Sequence, residues 1–236
     1  MILTRIPFTI SADELFSQLH LDPAADYAGQ IEQLVAQAAD LANPKALFKV
    51  AYVESCGTGT VVIDGITFTS RALQANLQDV HRVFAYVTTC GTELDALRSR
   101  YADDTLLLYC LDWMKTAALK AANRHLVAFI KERYELTKIA QMNPGSGDAS
   151  VWPIEQQKQL FRLIGRVEEQ IGVELTPTCL MEPNKSTSGI IYPTATEFVN
   201  CALCQRRRCP NRRAPFDARL WRQKMGEEVE YPNGRS

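Results

Sequence analysis

Apolar residues recur at three- and four-residue steps between Ala24 and Ala42, where Tyr27, Ile31, Leu34, Val35, Ala38 and Leu41 fall on one side of a predicted amphipathic helix. Asn43-Pro44 ends it, because proline cannot continue the helical hydrogen-bond ladder. Leu47 to Val53 then reads as a strand, and Val61 to Phe68 as a tight hairpin that turns at Asp64-Gly65. Arg82 to Thr88 supplies a further strand. It runs into Thr89-Cys90-Gly91-Thr92-Glu93, where Thr92 and Asp95 form a weak capping box for a following helix.

Asp103-Asp104 opens the longest predicted helix, which runs to about Tyr134. Leu107, Cys110, Leu111, Met114, Ala118, Ala122, Leu126, Phe129 and Ile130 give it the wide apolar face of a central, buried element. A last helix follows Trp152-Pro153 and carries Leu160, Phe161, Ile164, Val167 and Ile171 before Gly172. Val173 to Thr176 and Ser188 to Tyr192 read as short strands. From Asn200 onward the chain is rich in Arg, Pro and Cys with little apolar periodicity, so that tail needs a staple to stay ordered.

Helices and strands alternate irregularly, and the Asp64-Gly65 hairpin requires antiparallel pairing. The expected class is therefore α+β rather than a doubly wound parallel sheet. No internal repeat is visible. The expected organisation is an N-terminal helical segment (1–44), a main domain (45–198) and a Cys-rich tail (199–236).

The 236 residues, 46 % apolar and 22 % charged, are ordinary for a globular chain large enough to bury its own core. A formal net charge of −1 gives no global basic field and argues against nucleic acid as a partner. Only the run Arg206, Arg207, Arg208, Arg212 and Arg213 would offer a local patch, the basis of a weaker reading as a zinc protein that binds nucleic acid. No stretch approaches the roughly 18 consecutive apolar residues of a membrane span, and the first residues lack the features of a signal peptide, so a cytoplasmic location is expected.

Seven cysteines fit reduced thiols and metal ligation better than a disulfide framework. Cys201, Cys204 and Cys209 stand within nine residues in a Cys-x2-Cys-x4-Cys spacing, whose first two sulfurs could take two corners of a tetrahedron. Structural zinc would need a fourth ligand from a distant cysteine or from His20, His81 or His125. A 4Fe-4S cluster would take Cys179 first, with Cys90 and Cys56 behind it. Spacing leaves iron-sulfur and zinc both open, and plain packing of the thiols is the structural alternative. The neighbouring arginines would lower thiolate pKa values and offset the negative charge of a metal-thiolate centre.

Asn143-Pro144-Gly145-Ser146-Gly147 is a Pro-Gly turn whose backbone amides are expected to be open to a ligand, with Asp148 orienting the loop. Asp103 and Asp104 suit a helix N-terminus better than catalysis, and His125 a structural role better than cobalt ligation.

Four segments in order carry a family resemblance: Asn143 to Pro153, Gln156 with Leu160-Phe161, Ile171 to Thr176, and Met181 to Tyr192. Together they resemble the activation domain of vitamin B12-dependent methionine synthase, and most closely its stand-alone members found beside corrinoid methyltransferases. The likeness covers about residues 45 to 200, with weaker support from Ile66 to Ser70 and Thr89 to Leu94. It implies a C-shaped α+β domain around a twisted antiparallel sheet, which binds S-adenosylmethionine and docks on the corrinoid domain of a methyltransferase. Its task there is to return cobalt from Co(II) to Co(I), with electrons from a donor protein.

The implied ligand or partner face is Asn143, Pro144, Gly145 and Ser146 with Ser188, Gly189 and Tyr192. Gln141 stands where the synthase loop has an arginine and Ser146 where it has a tyrosine, while Ile191 replaces a second tyrosine and Tyr192 comes one residue late. The missing guanidinium removes a charge-assisted contact, and a one-residue shift along a strand turns a side chain to the other face. Both departures count against S-adenosylmethionine and leave the fold and corrinoid docking as expectations. The Asp-x-His-x-x-Gly motif of a corrinoid carrier is absent, so the cobalamin is expected on the partner. Cys201, Cys204, Cys209 and Cys179 would then be ligands of an electron-relay cluster. The alternative is a non-catalytic module that holds a corrinoid partner or its cofactor, with zinc stapling the tail.

Overall fold

The computed structural model describes residues 1–147, 150–195, 198–206, 208–209 and 212–226. In chain order the elements are β1 Ile2–Leu3, α1 Ala12–Leu19, α2 Ala28–Leu41, β2 Lys45–Cys56, β3 Thr60–Ile63, β4 Ile66–Thr69, α3 Arg71–Leu77 and β5 Arg82–Thr89. They continue as α4 Asp95–Arg100, α5 Thr105–Arg133, β6 Ile139–Met142, a 3-10 turn Ile154–Gln156, α6 Gln157–Ile164 and α7 Val167–Ile171. The last are β7 Glu174–Leu175, β8 Met181–Glu182, β9 Ser186–Pro193, a second 3-10 turn Asn200–Leu203, and α8 Ala218–Met225.

Among the described residues the main sheet has the order β4-β3-β2-β5-β9-β6, with β1 joined to β2. The β1·β2, β2·β3, β3·β4 and β6·β9 pairs are antiparallel, so the expected α+β class with an antiparallel sheet and flanking helices is what the chain forms. The hairpin turns where its sequence required: Ile63 faces Ile66 across Asp64-Gly65, and both turn residues have positive φ, 42° and 74°.

The chain divides into two compact units, and β2, β5 and β9 have residues in both. Unit 1 comprises residues 1–48, 87–133 and 166–187. Its core joins Leu15 and Phe16 of α1 to Ile31, Leu34 and Val35 of α2, Leu97 of α4, and Leu107, Leu111 and Met114 of α5. Each such leucine, taken fully out of water, contributes about 1.5–3 kcal/mol. Ser11 caps α1 by accepting from the Glu14 amide, and Asp104 holds the start of α5 by accepting from the Leu107 amide at 2.9 Å. The Thr92/Asp95 capping box does not form. The α4 N-terminus has no side-chain cap, and the Asp95 carboxylate instead meets Lys115 at 2.6 Å.

Unit 2 comprises residues 49–86, 134–165 and 188–236. Its core gathers Val61 and Ile63 of β3, Phe68 of β4, Leu73 and Leu77 of α3, Val83 and Ala85 of β5, Trp152, Leu160, Ile190 and Tyr192. Leu203, Trp221 and Met225 join the same core, so the tail does bury apolar side chains although it lacks a long periodic pattern. The single helix expected from Trp152 to Ile171 is broken. Gly165 (φ 73°) and Arg166 (φ 50°) leave the helical region, which separates α6 from α7. No helix among the described residues is long and apolar enough to cross a membrane.

Candidate functional site

The Asn143–Gly147 loop follows β6 and is fixed from two sides within unit 2. The Ser70 hydroxyl donates to the Val151 carbonyl at 2.6 Å, and the Gln156 carboxamide oxygen accepts from the Trp152 indole at 3.2 Å and from the Thr69 amide at 2.9 Å. The loop amides are not open as the sequence suggested. Gly145 N–H donates to the Trp152 carbonyl at 2.8 Å and Ser146 N–H to the Asn143 carbonyl at 3.2 Å, because the turn closes on itself before any ligand arrives. What the loop presents is the exposed Gly145-Ser146-Gly147 edge over a buried Pro144. Asp148 and Arg207 lie outside the described residues.

Beneath that edge is a buried polar cluster. The Asn143 amide nitrogen donates to the Tyr86 hydroxyl and to the Ser188 carbonyl, both at 2.7 Å, and the Ser188 hydroxyl donates to the Gln157 carboxamide oxygen at 2.8 Å. Gly189 makes this crossing possible. A methyl group there would lie 2.4 Å from the Met142 carbonyl oxygen, 2.6 Å from the Asn143 amide nitrogen and 3.1 Å from the Tyr86 ring. Burial pushes the Tyr86 hydroxyl pKa up to about 12, and the Asn143 hydrogen bond and the Arg213 charge moderate that rise.

The structure therefore brings together Asn143, Ser188 and Gly189 of the expected face, with Gly145 and Ser146 at its rim. It does not bring Tyr192 to Asn143. Strand alternation turns Tyr192 to the side opposite that on which Gly189 meets Asn143, and it lies in the core with its hydroxyl unpartnered and its pKa raised by burial. Sequence reading missed Tyr86 and Gln157, and it had Gln156 only as part of the family resemblance. Of these, only Tyr86 stands as a polar group inside an apolar run, Val83 to Val87.

The cysteine segment reaches the same loop. Gly147 (φ 91°) packs on Cys204, and a methyl group on that glycine would lie 3.2 Å from the Cys204 Cβ and 3.4 Å from its Sγ. Burial alone would raise the Cys201 pKa, but main-chain and side-chain donors of Arg213, its charge and the Ala214 amide outweigh it, so the net shift is down. Arg212 supplies the staple that the tail lacked on paper. Its guanidinium donates to the carbonyls of Cys201 (3.3 Å), Cys204 (3.3 Å), Ala214 (3.2 Å) and Arg206.

No disulfide joins any two cysteines, and among the described residues no group of three or more His, Cys, Asp or Glu side chains is placed to hold a metal ion. Cys179 belongs to unit 1, whereas Cys201, Cys204 and Cys209 belong to unit 2. His125 is half-buried on α5 and Asp103 is exposed before it.

Unit 1 holds a separate cleft of about 650 Å³, whose walls include Asp95, Arg98, Glu168, Glu174, Glu182 and Asn184. Four different elements, α4, α7, β7 and β8, supply these acids, which is why no local motif pointed to it. Close by in sequence, Glu93 accepts from Lys45 at 2.7 Å and from Asn43 at 2.8 Å. Burial raises the Glu93 pKa, but these donors and the Lys45 charge bring it below the ordinary carboxylate value.

No protein-family model matches the chain, and no curated protein matches it. Among solved structures, the chain is similar to the crystal structure of the MetH reactivation domain bound to AdoHcy, with a TM-score of 0.55 and 13 % sequence identity. The similarity covers 84 % of this chain and 81 % of that one. At that identity the likeness shows the fold, a mixed α/β architecture with an antiparallel sheet and flanking helices.

Proposed function

We propose that the protein is an accessory factor in the reactivation of a corrinoid-dependent enzyme, docking on the partner that carries the cobalamin. The observation that carries this reading is the fold shared with the MetH reactivation domain over most of both chains. The ordered motifs from Asn143 to Tyr192 support it independently.

The chemistry assigned to this chain is positional. The exposed Gly145-Ser146-Gly147 edge forms the contact face, and the Tyr86–Asn143–Ser188 hydrogen bonds hold it rigid, so little ordering entropy is lost when a partner binds. The electron that converts Co(II) to Co(I) comes from a separate donor protein.

The neighbour's AdoHcy motivates a second ligand test. Gln141 and Ser146 offer no charge to a carboxylate, so weak or absent AdoHcy binding accords with this reading. A module that holds its partner without redox chemistry of its own is the second reading, supported by a tail that Arg212 clamps and that packs Leu203, Trp221 and Met225 into the core.

The test is anaerobic binding of the purified chain to a corrinoid protein in its Co(II) form, followed by calorimetry and by the cobalt spectrum. Saturable binding with a shift in the Co(II) bands supports activation. Binding with unchanged bands supports the holding module. Absence of binding in every cobalt state contradicts both.

A further inference from the structure

We propose that Cys201 and Cys204 form a redox-active dithiol that closes to an intramolecular disulfide on exposure to a low-molecular-weight disulfide, and that this closure acts on the Asn143–Gly147 loop. The proposal rests on side-chain placement in unit 2 and is independent of any corrinoid partner.

The two residues occupy one turn. Cys201 lies within the 3-10 turn Asn200–Leu203, and the Cys204 amide at its end donates back to the Cys201 carbonyl at 3.2 Å. In a 3-10 turn, residues three apart nearly eclipse, and a rise of about 2 Å per residue puts their Cα atoms roughly 6 Å apart. That spacing falls inside the range of roughly 4.4–6.8 Å which a disulfide spans without moving the backbone.

Arg212 keeps both residues in place, since its guanidinium holds the carbonyls of Cys201 and Cys204 together. Cys201 is half-buried and open to an incoming disulfide, while Cys204 is buried and shielded from one. This asymmetry assigns the roles. Cys201 attacks and Cys204 resolves.

The reaction balances with glutathione disulfide as oxidant. The Cys201 thiolate attacks one glutathione sulfur, breaking that S–S bond and releasing one glutathione. The Cys204 thiolate then attacks the Cys201 sulfur, forming the internal bond and releasing the second. Two thiols are oxidised, one disulfide is reduced to two thiols, and the two protons leave with the glutathiones.

The consequence for the loop follows from packing. The Cys204 sulfur now rests against Gly147, and bonding to Cys201 redirects it, which removes the contact that backs the exposed end of the loop. A thiol-disulfide couple would thereby set the stiffness of the face assigned to partner binding.

The test uses the full chain, reduced, freed of reductant and treated with glutathione disulfide. Trypsin without reduction releases residues 186–206 as one peptide containing Cys201 and Cys204 and no other cysteine. The expected product is that peptide lighter by about 2 Da, the two hydrogens lost on closure, and restored by dithiothreitol. Cys209→Ser should leave the product intact. Cys201→Ser and Cys204→Ser should abolish it, with Cys204→Ser trapping a glutathione adduct on Cys201.

A stable adduct in the unsubstituted chain, a bridge to the peptide of Cys209 or Cys179, a bridge between chains, or co-purified zinc or iron that blocks the reaction would each overturn the proposal. Hydrogen exchange across residues 143–152 reads the second half: roughly threefold faster exchange in the oxidised form is expected, and unchanged exchange would overturn the link to the loop.

Discussion

Replacing Asn143 by alanine tests whether the polar cluster is what holds the loop. The side chain donates two hydrogen bonds of 2.7 Å, to the Tyr86 hydroxyl and to the Ser188 carbonyl. Each is worth about 1 kcal/mol net, and stranding a buried hydroxyl and carbonyl adds a desolvation cost, so the expected loss is about 2–4 kcal/mol. Tyr86 is 1 % exposed, so water does not replace the lost donor without rearrangement. Urea unfolding followed by tryptophan fluorescence reads the loss directly. The decisive form is a double-mutant cycle with Tyr86→Phe: with the hydroxyl already gone, Asn143→Ala should cost about 1 kcal/mol less than it does in the unsubstituted chain. Additive effects, or an Asn143→Ala loss below about 0.5 kcal/mol, would refute the claim that this pair buttresses the loop.

Gly189→Ala forces a methyl group to within 2.4 Å of the Met142 carbonyl oxygen and should lower stability by about 1–3 kcal/mol in the same urea assay. Arg212→Ala withdraws the clamp on the Cys201 and Cys204 carbonyls; limited trypsin treatment should then cut at Arg206 or Arg208 several times faster, by roughly threefold or more, with the far-UV circular dichroism little changed. Asp95→Asn leaves the Lys115 ammonium, whose side chain is only 7 % exposed, without its anion; a loss of about 1–3 kcal/mol is expected by thermal unfolding. The lowered Glu93 pKa gives stability that is fully present above the ordinary glutamate value of 4.5 and is lost as pH falls through the lower folded value. Glu93→Gln should flatten that acid limb in a series of unfolding curves.

The elements that sequence alone predicted well are those whose pattern repeats within the element itself. The α2 face of Ile31, Leu34, Val35 and Ala38, the buried side of α5 and the Asp64-Gly65 hairpin all formed as their periodicity and turn chemistry required. The failures have physical causes. Helical spacing continued across Gly165-Arg166, yet both residues take positive φ, and spacing cannot register a backbone break. Thr92 and Asp95 had the spacing of a cap, but Asp95 found a buried ammonium as a stronger partner.

The site was half legible. Asn143, Ser188 and Gly189 came from motifs, while Tyr86 and Gln157 reach the cluster from segments far apart in sequence, and no local pattern announces such a meeting. Arg212 had no signal in the sequence either, because its role depends on four carbonyls converging in space. Gly145 and Ser146 were expected to offer free amides because glycine exposes backbone. The Gly145 amide goes to the Trp152 carbonyl and the Ser146 amide to the Asn143 carbonyl.

The measurement that bears most directly on the central claim is the anaerobic cobalt spectrum of a Co(II) corrinoid protein, mixed with a low-potential electron donor in the presence and absence of this chain. Co(I) is expected to accumulate faster when the chain is present, and Asn143→Ala to diminish the effect. Identical rates with and without the chain, together with an unaltered Co(II) spectrum, would contradict the assignment.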